Sequence, residues 1–321
     1  MYKPAYAGGV LIICATLLLG LGCGGDKQAE KEVAEKLKLN KTHTSDSAKK
    51  SLLPKGTRIG GKIEQDTTLK LDGSPYILTK TLELLPDIKL IIEPGVVIKS
   101  AVYTAIVVRG NLHAIGNKDN PIKFLSFKDT KWDGIQLKDE SFDYESDELI
   151  EGFGCIIKYC EIENARTGIS CEKTSPLITN NTIKNCEEGI KCREWGNPVI
   201  TNNIVQENID GIVCAEYSSP EIKFNTIIGD EGKGISCTEQ SSPLIINNTI
   251  FGNGTTWWTG ILCQNASAPK INHNNIYSNG GFNLKQLQTK PGEESLDIDA
   301  KNNWWGTSDK GTISATIYDK S

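Results

Sequence analysis

Between residues 155 and 284 the apolar positions fall in short runs that return with a fixed period. Each copy reads Gly-Ile-x-Cys, then Pro-x-Ile-x-x-Asn-x-Ile, then a turn of variable length. The first half stands at 168–171, 189–192, 211–214, 234–237 and 260–263, and copies are 21 to 26 residues apart. Ile169 and Cys171 alternate with polar neighbours, which is the period of a strand. The residue after each Pro is Leu177, Val199, Glu221, Leu244 or Lys270, so that position faces water. The next is always isoleucine, at 178, 200, 222, 245 and 271, so that position faces a core. No stretch within the period is long enough for a helix. Short strands at this repeat predict an all-β fold, a single parallel β-helix with about 22 residues per coil.

Stacked coils lie about 4.8 Å apart, so equivalent side chains stand over one another. Isoleucine then forms dry columns. Asn181, Asn203, Asn225, Asn248 and Asn274 form a ladder that passes hydrogen bonds between coils, at a bend where asparagine tolerates left-handed backbone. A half-copy at 157–162 has Cys160 in that slot. The glycine that opens each Gly-Ile-x-Cys run is expected to supply positive φ. Leu137 before the series and Leu284 after it share a slot with Cys171, Cys192, Cys214, Cys237 and Cys263. Leucine at both ends marks that slot as interior, where cysteine packs as a small hydrophobe. Adjacent coils also lie within disulfide reach. A metal site is the weaker alternative, because metal sites usually show Cys-x-x-Cys spacing or histidine partners.

The repeat and its Asn ladder resemble the right-handed parallel β-helix superfamily known from pectate lyases and polygalacturonases. The runs from Leu69 through Val96, the turn at Glu93, Pro94 and Gly95, and the late Asn302, Asn303, Trp304, Trp305 and Gly306 resemble the opening and closing segments of exported members. The resemblance spans 59–318 and implies a right-handed solenoid with capping coils over 58–321. It specifies a fold and not a reaction.

Residues 1–23 read as an export signal, with Lys3 followed by an apolar run from Val10 to Leu21. The approach to Cys23 resembles a bacterial lipoprotein box, which implies lipidation of Cys23; Gly20 stands where that box usually has leucine. A plain cleaved signal is the alternative. Residues 24–57 are rich in Lys, Glu, Ser and Thr and read as a tether, with a reach on the order of 30 Å. The net charge of −5 and the lack of a phosphate loop argue against nucleic acid or nucleotide as a partner.

The turn after the Cys slot has equal length in four coils, which puts Glu194, Glu216 and Glu239 in one file with Trp195 and Tyr217 beside it. Stacked carboxylates either splay into water or share a cation such as Ca²⁺. Two of them at glycosidase spacing are candidates for acid/base catalysis. The aromatics offer a flat face to a sugar ring. The long turn from Phe251 to Thr259 adds Trp257 and Trp258 as ligand candidates, and an acidic stretch at 138–151 is a weak Ca²⁺ candidate.

The Asn-Thr-Asp, Asp-Asp, Gly-His-Gly and Arg-Ile-Lys signatures of polygalacturonases are missing. Aspartate, which clusters at pectate lyase sites, is sparse in these coils. The sequence therefore favours a lipid-anchored, envelope-facing protein that binds extended carbohydrate or a cell-envelope glycan. A polysaccharide hydrolase or lyase with an unfamiliar acidic site is the second reading. A third rests on resemblance to periplasmic β-helix proteins that assist copper-enzyme maturation, for which the thiol column would be required.

Overall fold

The computed structural model describes residues 55–127, 130–139, 141, 143, 154–255, 257–287 and 296–320. The signal segment with Cys23, nearly all of the tether, and most of the 138–151 stretch lie outside these residues. The described chain is an all-β solenoid of about nine turns with about 23 residues per turn.

Each regular coil contributes three short strands. The first face is a nine-stranded parallel sheet running from Thr67–Leu69 to Lys270–Asn272. The second face runs from Val97–Ser100 to Asn275–Tyr277, and the third from Ala105–Val108 to Ile317–Lys320. These two join into one sheet of nineteen strands because Tyr76–Leu84 pairs with Val97–Ser100 near its start and with Ala105–Val108 near its end. The repeated isoleucines form the core. Ile178, Ile200, Ile222 and Ile245 are in register on the first face and fully buried. Ile183, Val205, Ile227 and Ile250 form the matching column on the second face, and Ile169, Ile190, Ile212 and Ile235 that on the third. Burying each such side chain contributes roughly 1.5–3 kcal/mol, which offsets the entropy of ordering the coil.

The corner between the first two faces is left-handed in every regular coil, but not at the ladder asparagine. The left-handed residue is the one before it: Tyr159, Asn180, Asn202, Phe224, Asn247, His273 and Asn302 have φ from 50° to 59°. This corrects the expectation from sequence. The left-handed residue turns the chain, and the asparagine that follows points inward. Asn203 Nδ2 donates to Asn225 Oδ1 at 3.0 Å, Asn225 to Asn248 at 3.0 Å, and Asn248 to Asn274 at 3.0 Å. Asn303 adds a sixth rung, accepting from Asn274 at 3.1 Å.

Two further expectations change. Among the glycines that open the third-face strands, Gly134 has positive φ (85°), but Gly168, Gly189, Gly211, Gly234 and Gly260 do not. Space requires those five. A Cβ on Gly189 would lie 2.5 Å from the Gly211 carbonyl, and one on Gly211 2.5 Å from that of Gly234. Leu284 does not close the thiol slot either. It pairs with Ile261, and Gln286 pairs with Cys263. The coil after Cys263 has shifted by two residues relative to the Gly-Phe-Asn-Leu reading, so the five cysteines are flanked in register by Leu137 on one side and, on the other, by a glutamine that donates to the Leu296 carbonyl at 2.7 Å.

Candidate functional site

The turn after the thiol slot places two consecutive residues in left-handed backbone in each of four coils. Glu194 and Trp195 have φ of 51° and 67°, Glu216 and Tyr217 52° and 66°, Glu239 and Gln240 54° and 62°, and Asn265 and Ala266 53° and 58°. Glycine or asparagine would adopt this conformation most cheaply. A large side chain there costs of order 1 kcal/mol. The turns are tied to one another by backbone bonds: Trp195 N–H donates to the Glu216 carbonyl at 3.1 Å, and Tyr217 N–H to that of Glu239 at 3.0 Å.

This geometry stacks Trp195 on Tyr217, with ring centroids 4.6 Å apart and planes 6° from parallel. The facing surfaces of the two rings are therefore spent on each other. Trp195 is nevertheless 62% exposed and Tyr217 42%. In the coil before, Lys173 alone is left-handed in this turn and no aromatic follows it, so among these turns Trp195 is stacked on one face only. Glu194 lies 3.7 Å from Lys173 Nζ. Among the described residues no group of three or more His, Cys, Asp or Glu side chains converges as a metal site.

Sequence reasoning missed a polar cleft on the outer side of the third face. It has a volume of about 550 Å³ and is lined by Asp133, Gln136, Arg166, Thr167, Glu188, Lys191 and Asp210, among others. Gln136 and Lys191 occupy the "x" of the repeat template, and the others precede its glycine, in the turn that the template left variable. Their charges are interlocked. Lys191 Nζ binds Glu188 Oε1 at 2.7 Å, Thr167 Oγ1 donates to Glu188 Oε2 at 2.9 Å, and Arg166 lies 3.6 Å from Asp133. A neighbouring depression carries this surface on to Lys138, Ser170 and Arg193. Glu172 accepts from Lys138 Nζ at 2.8 Å and from Arg193. Burial raises the Glu172 pKa, but the two bound cations outweigh it and hold the carboxyl below its ordinary value. Arg193, at the edge of that depression, is followed in sequence by Glu194 and Trp195 of the aromatic turn.

A second hydrogen-bonded ladder was also missed. Cys186, Asn208, Asp230, Asn253 and Asn279 follow the rungs Asn181, Asn203, Asn225, Asn248 and Asn274 by a constant five residues. That offset was visible in the sequence, but it falls in the turn that the repeat template left variable. This ladder lines the bend between the second and third faces. Asn208 Nδ2 donates to Asp230 Oδ1 at 3.0 Å, and Asn253 Nδ2 to Asn279 Oδ1 at 3.1 Å.

The remaining candidates are dispersed. Cys171, Cys192, Cys214, Cys237 and Cys263 are fully buried free thiols in register. Burial, reinforced by hydrogen bonds to Cys171 and Cys214, pushes the Cys192 thiol well above its ordinary value. Trp257 is 82% exposed, whereas Trp258 lies under Lys233 Nζ, 4.4 Å from its ring centre. Of the acidic stretch, Asp143 accepts from Ser175 N–H at 2.5 Å and Thr174 Oγ1 at 3.1 Å, which fastens it to the next coil. No described helix is long and apolar enough to cross a membrane.

Residues 146–292 match the family described as right handed beta helix region. Over 81 residues the chain is 33% identical to "Protein bark beetle" of Drosophila melanogaster, a stretch covering 25% of this chain and 3% of that protein. No solved structure matches. The chain thus carries a right-handed parallel β-helix, and coils on both sides of the matched stretch continue the same stacking.

Proposed function

We propose that this protein binds an extended carbohydrate along the third face and the turn beside it, and that a lipid on Cys23 holds it at a cell envelope. One observation carries the carbohydrate reading. Trp195 and Tyr217 are large, exposed aromatics on strained left-handed backbone, where smaller residues would be cheaper, and they border a polar cleft. Left-handed corners recur throughout this solenoid, but here two large aromatics in such corners stack on each other and stay exposed. The unstacked face of Trp195 suits the apolar face of a sugar ring. Next to it, the paired carboxylates, guanidinium and ammonium groups of the cleft offer donors and acceptors to hydroxyls. A linear glycan matches a surface that repeats every strand spacing. Glu194, paired with Lys173, stands in the same file of turns as the half-buried Glu216 and the exposed Glu239, and the three form no converging acidic group, which favours binding over catalysis.

The test is a panel of soluble polysaccharides, with binding measured by affinity electrophoresis and turnover by reducing-end release. Wild type should retain at least one glycan without cleaving it. Trp195→Ala should weaken that binding about tenfold, since an aromatic contact of about 1–1.5 kcal/mol converts to that factor. Its melting temperature should stay near wild type. Binding unchanged in Trp195→Ala, Tyr217→Ala and Lys191→Ala alike would refute the reading. Turnover lost in Glu216→Gln would replace it with the enzyme.

A further inference from the structure

We propose that Asp230 carries a proton at neutral pH and is the rung through which the stability of this solenoid falls as pH rises from acid to just above neutral. Every other interior rung of the second ladder is an amide. Asn253 uses its NH₂ group to reach two acceptors, Asn279 Oδ1 at 3.1 Å and the Ile227 carbonyl at 3.0 Å. One coil earlier the rung is Asp230. Val205 is in register with Ile227, so the equivalent acceptors are Asn253 Oδ1 and the Val205 carbonyl.

Asp230 has no NH₂ to offer them. Its Oδ1 accepts from Asn208 N–H at 2.8 Å and Asn208 Nδ2 at 3.0 Å, as in the amide rungs. Its Oδ2 occupies the NH₂ position, is buried, and has no hydrogen-bond partner. The residue is 1% exposed. An ionised Oδ2 there would face acceptors in a dry bend. A proton on Oδ2 turns it into the missing donor and completes the ladder.

The charged groups around it do not supply a counter-ion. Lys233 sits in the same bend, but its Nζ is held by Asp210, at 3.0 Å from Oδ1 and 2.7 Å from Oδ2, and is covered by Trp258. Asp210 itself adds like charge. Cys186, two rungs below, is a thiol pushed up to about 11, chiefly by burial. The rungs above, Asn253 and Asn279, are neutral. Burial first, and the Asp210 charge with it, raise the Asp230 carboxyl to about 8, against the lowering effect of the Asn208 hydrogen bonds.

The sign follows by linkage. The folded-state pKa lies above the unfolded one, so the folded chain holds more protons between about pH 4 and about pH 8. Stability from this group is complete below the unfolded value and is lost as pH rises through the folded one. Asp230 also connects to the proposed binding surface. Its Oδ2 lies where a Cβ on Gly211 would meet it at 2.4 Å, next to Asp210 of the cleft. Its carbonyl accepts from Gly254 N–H at 2.7 Å, in the bend that carries Trp257 and Trp258.

The experiment compares the full protein with Asp230→Asn, measuring melting temperature from pH 4 to pH 9. The asparagine supplies the NH₂ group at every pH. The wild type should lose ground steadily against the variant from about pH 4 to about pH 8 and run parallel to it above, as the pKa values require. Curves that stay parallel from pH 4 to pH 9 would overturn the proposal. If Asp230→Asn does not fold, infrared spectroscopy of the wild type decides. A protonated-carboxyl C=O band at pH 6.5 that disappears by pH 9.5 supports the proposal, and no such band at pH 6.5 overturns it.

Discussion

Asn225→Ala tests the ladder logic on which the whole solenoid rests. Asn225 is the central rung and is buried. Its Oδ1 accepts from Asn203 N–H at 2.9 Å and Asn203 Nδ2 at 3.0 Å. Its Nδ2 donates to the Ile200 carbonyl at 2.9 Å, the Lys223 carbonyl at 3.0 Å and Asn248 Oδ1 at 3.0 Å. Alanine removes all five bonds and leaves partners behind. The Asn203 backbone N–H loses its acceptor, one amide hydrogen of Asn203 loses its second partner, and the Ile200 carbonyl loses a donor. Each buried group stranded in this way costs about 1–3 kcal/mol. The Asn225 backbone N–H keeps its bond to Asn248 Oδ1, so the break is confined to one rung. The expected loss is about 3–5 kcal/mol, counting two fully stranded groups and a small cavity. The control is Lys223→Ala on the same coil. Lys223 faces outward and pairs with Glu221 at 2.6 Å, and an exposed pair of this kind is worth under about 1 kcal/mol. Urea unfolding followed by circular dichroism compares midpoints at a common slope, which is the safe quantity in a repeat protein. Asn225→Ala within about 1 kcal/mol of that control would refute the reasoning, because it would mean that water or backbone satisfies these groups as well as the rung does.

Two further predictions concern the cysteines. Cys171, Cys192, Cys214, Cys237 and Cys263 should resist a thiol reagent in native protein and react fully when it is unfolded, and Cys214→Ala should cost about 1–2 kcal/mol; a coil-to-coil disulfide found by mass spectrometry would overturn that assignment. Cys23→Ser should move the protein from the membrane fraction to the soluble one; a wild type that is already soluble and whose mature chain begins elsewhere than Cys23 removes the lipid anchor.

The fold was readable because a solenoid repeats one coil's constraints at every level. Isoleucine two places after each Pro, and Asn three places after that, declare inward positions that no other arrangement of short strands would hold in register. The failures lie where the repeat is silent. The template contained the glycine of each third-face strand but not the backbone of the next coil, so its purpose was taken for conformation when it is space. Phe282 and Asn283 mimic the template, and only strand pairing reveals that Leu284 answers Ile261. The cleft is built from outward positions, which obey no pattern because water tolerates any side chain there. Asp230 falls in the turn that the template left variable, and its meaning depends on the amides above and below it, which lie a full coil away in sequence.

Both ladders point the same way. Each amide gives one hydrogen to the oxygen of the next rung and the other to a carbonyl of the coil before, while its oxygen takes hydrogens only from the previous rung, so the solenoid has a head and a tail. Each file also begins on a cysteine, Cys160 or Cys186, whose backbone N–H reaches up to the first amide oxygen at 2.9 Å. Removing coils from the two ends is therefore not equivalent. Cutting from the N-terminal side uncovers, at each file, an amide oxygen and one amide hydrogen, as when Asn203 loses Asn181 and the Ile178 carbonyl, but leaves the backbone N–H of the new end rung paired. Cutting from the C-terminal side uncovers, at each file, a backbone N–H and an amide hydrogen that both relied on one vanished oxygen deep in a bend. Nested deletions should be tolerated further inward from the start of the regular coils than from their end. A shortened version meant to stay folded would have to keep as its final rungs Asn303 and Asn283, whose Oδ1 accepts from Asn279 Nδ2 at 3.0 Å.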